Sequence, residues 1–312
     1  MMLPNAWVGK LFFMKSGTEN LLEILYERVI TLSNKGEWEE ACHAAVAAVD
    51  KARAAVSEEE EAADVALVEC LEVQGDVLRQ IGKLEESRLA YLEALETAMP
   101  LGVEPELLAR VTASVGVLYD SVDNDQEAIR FYERAIELYA RAEMEKSEPV
   151  ADICNNLGFA YRSIGNFSEA EDLFLKGLDI CRHVLGYEHE KTATLCNNLG
   201  ALYLKAEKSN QAREMNLMAL EIRLQLFGAT HPDTAQSHAN LALSLSQCGE
   251  VGEANEHFLA AVKGYEKNID TESHDYAAVV ENYAEFLKIS NEGRSADLLV
   301  KKAQKKLAQL NC

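Results

Sequence analysis

One small-residue position returns through this chain at a nearly fixed interval. Gly75, Gly116, Gly158, Gly200, Ala242 and Ala284 stand 41, 42, 42, 42 and 42 residues apart, and Val29 holds the same phase 46 residues before Gly75. The flanking sequence returns with it. NNLGFAYRSIGNFSEAEDLFLKGL from Asn155 aligns with NNLGALYLKAEKSNQAREMNLMAL from Asn197, ANLALSLSQCGEVGEANEHFLAAV from Ala239 and ENYAEFLKISNEGRSADLLVKKAQ from Glu281. A fixed period restricts a chain to stacked supersecondary units, each of which buries its apolar face on its neighbours. About seven such units fill the sequence.

Each unit reads as two helices. In the fourth, Ile153, Leu157, Ala160 and Tyr161 recur at helical spacing, Gly165-Asn166 interrupts, and Ala170, Phe174, Leu175 and Leu178 resume. Gly36, Gly82, Gly165 and Gly249 all fall at the turn between the two helices, and Gly186 is expected to close the second helix in the left-handed conformation. Pro105, Pro149 and Pro232 fall where a first helix begins and a missing N–H costs nothing; no proline is expected inside a helix. With 5 prolines, 17 glycines and 7% aromatics the chain is too poor in turn and strand formers for an all-β protein. The fold class is therefore all-α.

Charge and hydropathy exclude several roles. The 52 acidic and 30 basic side chains leave a net charge of -22, which would repel nucleic acid. No apolar stretch approaches the ~18–20 residues of a membrane span, and the start lacks the basic leader and cleavage site of a signal peptide. Residues 1–17 are expected as an N-terminal extension, with Met14 as an alternative start, and 18–312 as the repeat array. The seven cysteines show no paired short spacing and read as reduced thiols of a cytoplasmic protein. No phosphate-binding glycine loop, zinc-protease motif or nucleophile elbow occurs, so neither enzyme activity nor a cofactor is expected.

The run Leu157-Gly158-x-x-Tyr161, followed by Ala170, Phe174 and a small residue at 177, resembles the tetratricopeptide repeat. Val115-Gly116-x-x-Tyr119 with Ala128, Tyr132 and Ala135 repeats it, as does Leu199-Gly200-x-x-Tyr203 with Ala212 and Ala219. The 42-residue period and the connectors LGYEHEKTATLCNNLG and FGATHPDTAQSHANLA resemble the kinesin light chain type of that repeat, best over 105–290. A period of 42 also suits HEAT repeats, but the small and tyrosine positions stand in tetratricopeptide register. The resemblance implies a right-handed α-α superhelix whose first helices line a concave groove. The sequence holds no long heptad segment ahead of its repeats, so a motor role is not expected.

Asn156, Asn198, Asn240 and Asn282 recur at one position of the first helix, read as exposed, with Asn155 and Asn197 preceding the first two. Amides donate and accept, so such a ladder can pair with the backbone of an extended peptide; copies inherited by repeat duplication would look the same. Arg162 and Lys205, with Arg110 and Lys288, are expected on that face and would suit an acidic peptide, whereas Glu69, Glu72 and Asp76 would turn it away from the N-terminal end. The reading is a protein-binding adaptor; the alternative is a structural or oligomerising module using convex or terminal surfaces, and the oligomeric state stays open. His189, His231 and His274 fall one per repeat, too far apart for a zinc site, and His238 is expected as a hydrogen-bonded, core-facing histidine. Cys154 and Cys196 are expected as buried free thiols and Cys312 as an exposed one. Ser57 before Glu58–Glu61 is expected to cap a helix N-terminus, and Lys301, Lys302, Lys305 and Lys306 to favour a helix C-terminus.

Overall fold

A computed structural model describes residues 17–58 and 63–310. The described residues form fourteen α-helices and no strand. They pair in chain order as seven antiparallel hairpins, one for each repeat. The first helices are α1 (Gly17–Asn34), α3 (Ala63–Gln80), α5 (Pro105–Asp120), α7 (Glu148–Ser163), α9 (Glu190–Lys205), α11 (Pro232–Gln247) and α13 (Ser273–Ile289). The second helices are α2 (Trp38–Ser57), α4 (Leu84–Leu101), α6 (Asp125–Arg141), α8 (Phe167–Val184), α10 (Ser209–Phe227), α12 (Val251–Lys267) and α14 (Gly293–Leu310). The chain divides into two compact units, residues 1–145 and 146–312. Unit 1 stacks three hairpins and unit 2 four, and within each unit a second helix packs on the first helix of the next hairpin.

The period is a packing rule. The small residue of the first helix lies against a large side chain sixteen residues later on the second. A Cβ on Gly75 would come within 2.5 Å of the Tyr91 ring, one on Gly116 within 2.7 Å of Tyr132, and one on Gly158 within 2.7 Å of Phe174. Glycine lets the helices approach until the ring fills the gap, and those three rings are fully buried. Ala128, Ala170, Ala212, Ala254 and Ala296 recur on the second helices, also with no exposure.

The turns within hairpins obey the same period. Gly36, Gly82, Gly165 and Gly249 have φ between 75° and 83°, and the remaining hairpins place Asp123, Glu207 and Asn291 there at φ 56°, 58° and 64°. The left-handed residue reverses the chain after the first helix; glycine does this without steric cost. A second left-handed series, Gly102, Glu143, Gly186 and Gly228, follows the second helices.

Pro105 and Pro232 occupy the first position of their helices and Pro149 the second. Pro100, by contrast, lies inside α4, in its last turn, where only one ladder bond is forfeited before the helix ends at left-handed Gly102. Ser57 does not begin a helix. It is the last residue of α2, and its hydroxyl donates back to the Arg53 carbonyl at 3.0 Å; Glu59–Glu61 lie outside the described residues. The lysines of α14 stop short of its end: Lys302 and Lys306 reach Glu266 on α12 at 3.2 and 2.7 Å. Cys154 and Cys196 are buried and free, and burial pushes both thiols up, Cys154 to about 11. The expected extension over residues 1–17, but for Gly17, and Cys312 lie outside the described residues.

Candidate functional site

His189 and His231 act in the connectors. Each precedes a first helix, and its Nδ1 accepts from the backbone N–H two residues on, Lys191 at 3.2 Å and Asp233 at 3.3 Å. They are N-caps that satisfy a donor the helix start leaves open. His274 lies exposed within α13. His238 is half-buried, and its Nδ1 lies 2.8 Å from Nδ1 of His257. Burial lowers the pKa of both imidazoles, that of His238 to about 4. Among the described residues no three His, Cys, Asp or Glu side chains are grouped as a metal site requires.

The asparagine ladder is less exposed than its spacing suggests. Only Asn282 is exposed; Asn155, Asn156, Asn198 and Asn240 are half-buried and Asn197 is buried. The cause is pairing between repeats. The Asn198 amide donates to Asn155 Oδ1 at 2.7 Å, and the Asn240 amide donates to Asn197 Oδ1 at 3.0 Å. Each rung joins the second asparagine of one first helix to the first asparagine of the helix before it. Asn155 also donates to Asn156 Oδ1 at 3.4 Å, and Asn197 to Gln236 Oε1 at 3.2 Å. The position preceding Asn240 is Ala239, so Asn282 has no rung acceptor. One end of the Asn156, Asn198 and Asn240 amides is thus used inside the protein, while Oδ1 of Asn198 and Asn240 and the Asn156 nitrogen are left over, none a buried orphan, and Asn282 is exposed.

Gln236 rests on Arg223 of α10, whose guanidinium donates to Gln236 Oε1 at 3.0 Å, Ser237 Oγ at 3.1 Å and the Asp233 carbonyl at 2.8 Å. Arg223 is buried, and its three acceptors are neutral. Sequence reasoning missed it because it sits on a second helix and no repeated position announces it.

Unit 1 carries the same rung in other chemistry. Ser114, equivalent to Asn156, reaches Glu72 at 3.4 Å, and Arg110 donates to both Glu72 oxygens at 3.1 and 2.8 Å. Arg110 also approaches Glu69 at 3.9 Å, Arg79 lies 3.6 Å from Asp76, and the Tyr91 hydroxyl donates to Asp76 at 2.7 Å. The acids that were expected to repel an acidic ligand are therefore spent on internal cations, and Arg110 is not an open groove cation. Glu72 is 3% exposed, and burial pushes its carboxyl up to about 7 against the pull of Arg110.

Among the described residues no carboxylate pairs with Arg162 or Lys205. Arg162 stands 4.5 Å over the Phe159 ring, half-buried, with burial lowering its pKa. Lys205 is exposed at the end of α9, its Nζ 5.4 Å from the Phe167 ring. The structure sets each cation on an aromatic face rather than beside the other. Lys288 is exposed in the last turn of α13.

Residues 149–225 and 197–267 match one tetratricopeptide repeat family, and residues 113–143 match a second. No curated protein matches the sequence. Among solved structures, BtubC (BKLC) from P. vanneervenii is 28% identical with a TM-score of 0.67, over 74% of this chain and 91% of that one. A putative kinesin light chain of P. anserina with nearly identical TPR-like repeats is 21% identical with a TM-score of 0.58, over 67% of this chain and 98% of that one. The apo form of RapI is 16% identical with a TM-score of 0.71, over 92% of this chain and 75% of that one. The latter two share the fold. The chain carries tetratricopeptide repeats, a scaffold type associated with protein–protein interaction, and among its described residues no helix is long and apolar enough to cross a membrane.

Proposed function

We propose that this protein is a non-catalytic adaptor of the kinesin-light-chain-like class. The first-helix face of unit 2, the concave side of its repeats, holds an extended segment of a partner protein. The observation that carries the reading is the row of outward amide ends on Asn156, Asn198, Asn240 and Asn282. Asn198 and Asn240, fixed by rungs, are pre-oriented, so their pairing with a peptide backbone costs little further side-chain entropy. Arg162 and Lys205 favour acidic side chains at the α7–α9 end, since neither is committed to a carboxylate. The free cysteines suit a reducing, cytoplasmic setting.

The rungs dictate the test. Removing Asn198 or Asn240 would damage repeat packing as well as the groove. The informative variant is Asn156→Arg with Asn282→Arg, which blocks the face without cutting a rung between repeats. Quantitative capture from lysate should lose a defined set of partners while the melting temperature stays within about 1 °C of wild type, as for surface changes. An unchanged partner set overturns the reading. Arg162→Glu with Lys205→Glu should weaken the most acidic of those partners first.

A further inference from the structure

The second-helix side of unit 2 carries a cleft at a place where the preceding repeat holds a tyrosine ring. In the fifth repeat Tyr203 occupies the tyrosine position of the motif. Its hydroxyl donates to Glu171 on α8 at 3.0 Å, and Lys208 both pairs with Glu171 at 2.7 Å and stands 5.3 Å from the ring centre. The phenol fills the space between consecutive second helices. One repeat on, the tyrosine position is Leu245, and the ion pair is present with its signs exchanged: Arg213 replaces Glu171 and Glu250 replaces Lys208. Leucine lacks the outer ring atoms and hydroxyl, and at that place a cleft of about 300 Å³ opens between α10 and α12 over Leu217, Leu241 and Leu245. That volume is at the lower end of the range for ligand pockets.

We propose that this cleft is a docking site for a single aromatic side chain of a partner protein, presented on a basic segment. Shape argues for the aromatic: the repeat geometry places a phenol there in the preceding copy. Charge argues for the basic flank. Arg213 and Glu250 neutralise each other, and the two other acids at the rim, Glu214 and Glu253, are exposed and form no ion pair among the described residues. His257 closes the cleft on the α12 side, half-buried, with burial lowering its pKa. The rim is thus net negative around an apolar floor, the complement of an aromatic flanked by lysine or arginine. Leu217 is 44% exposed there, and its equivalents Leu175 and Leu259 are exposed at the same position of α8 and α12, which adds apolar shoulder to either side of the anchor.

The site is separate from the amide row, so it can be tested apart from the groove. The probe is a fluorescein-labelled peptide of about ten residues with one tryptophan flanked by lysines. Two controls replace its lysines with glutamates or its tryptophan with alanine. Fluorescence anisotropy on the full chain should show the basic aromatic peptide binding at least about tenfold more tightly than either control, as loss of an anchor residue implies. Leu245→Tyr, which rebuilds the filled geometry of Tyr203, should abolish the difference, while Asn156→Arg with Asn282→Arg should leave it unchanged. Glu214→Lys with Glu253→Lys, both on exposed positions, should transfer the preference to the glutamate peptide, and this variant decides the matter if Leu245→Tyr fails to fold. Equal binding of all three peptides, or wild-type binding by either cleft variant, overturns the proposal.

Discussion

Asn198 donates to Asn155 Oδ1 across 2.7 Å, although the two residues are 43 positions apart in a chain whose period is 42. The rung therefore joins different positions of consecutive repeats, and it fixes the stagger of α9 on α7. A half-buried amide pair of this kind contributes through its partner: removing one member strands the other. Asn155→Ala and Asn198→Ala should each cost about 1–2 kcal/mol, and the double variant should cost less than their sum by about 0.5–1.5 kcal/mol. Urea denaturation of the four proteins, followed by circular dichroism, measures the coupling. Strict additivity would mean that the amides act alone.

Repeat 5 holds a local mismatch that should be correctable. Gly200 retains the glycine that elsewhere receives a ring, but the residue sixteen on is Asn216, where four other hairpins have Tyr91, Tyr132, Phe174 and Phe258. Asn216 has no exposure, and its nitrogen reaches Ser244 at 2.8 Å and the Asn240 carbonyl at 3.2 Å; its Oδ1 is buried without a partner. Asn216→Phe removes that orphan oxygen and adds buried apolar surface. Ser244 keeps its own bond to the Asn240 carbonyl at 2.8 Å. Stability should rise by about 1–2 kcal/mol. A fall would show that the stack around Gly200 has already closed on the smaller side chain.

Glu207 holds φ at 58°, in a turn where Gly165 and Gly249 stand one repeat before and after. A side chain with a Cβ is strained in that region by roughly 1–2 kcal/mol. Glu207→Gly should therefore stabilise the protein by about 1 kcal/mol. Gly165→Ala should do the reverse, and through the backbone alone, because a Cβ there would have nothing within 4 Å. Paired thermal melts check both signs.

Where the same residue recurs, the sequence was transparent, because duplication writes one packing solution several times. The small-residue series located the hairpins, and the glycines located most of the turns. Asp123, Glu207 and Asn291 were opaque at those turns, since nothing in their chemistry announces a left-handed backbone. The asparagines are less exposed than their register suggested. Their common spacing suggested a row facing solvent, whereas contact between stacked helices is offset by one residue and pairs Asn198 with Asn155. Substitutions that keep the geometry and change the chemistry were the hardest to see. Ser114 with Arg110 and Glu72 fills the rung in unit 1, and Arg213 with Glu250 inverts Glu171 with Lys208 in unit 2. A pattern search discards such pairs as noise.

Glu72 makes the stability of unit 1 depend on pH in the sense opposite to most carboxylates. Burial pushes its carboxyl up to about 7 in the folded chain, against an ordinary value of 4.5. The folded state therefore holds a proton that the unfolded chain has released between those limits. The stability this contributes is complete below about 4.5 and is lost as pH rises through about 7. Asp76, also raised by burial, adds in the same direction, while Arg110 and Arg79 limit the effect. Trp38 stands at the start of α2 in unit 1, so its fluorescence reports the unfolding of that unit. Urea midpoints read this way should fall from pH 5 to pH 8 in the wild type. Glu72→Gln keeps an oxygen for Arg110 and Ser114 but cannot ionise, so its midpoints should depend distinctly less on pH over that range. An undiminished slope in Glu72→Gln would assign the titration to other groups, and a wild-type midpoint that rises with pH would show that Arg110 holds Glu72 ionised throughout.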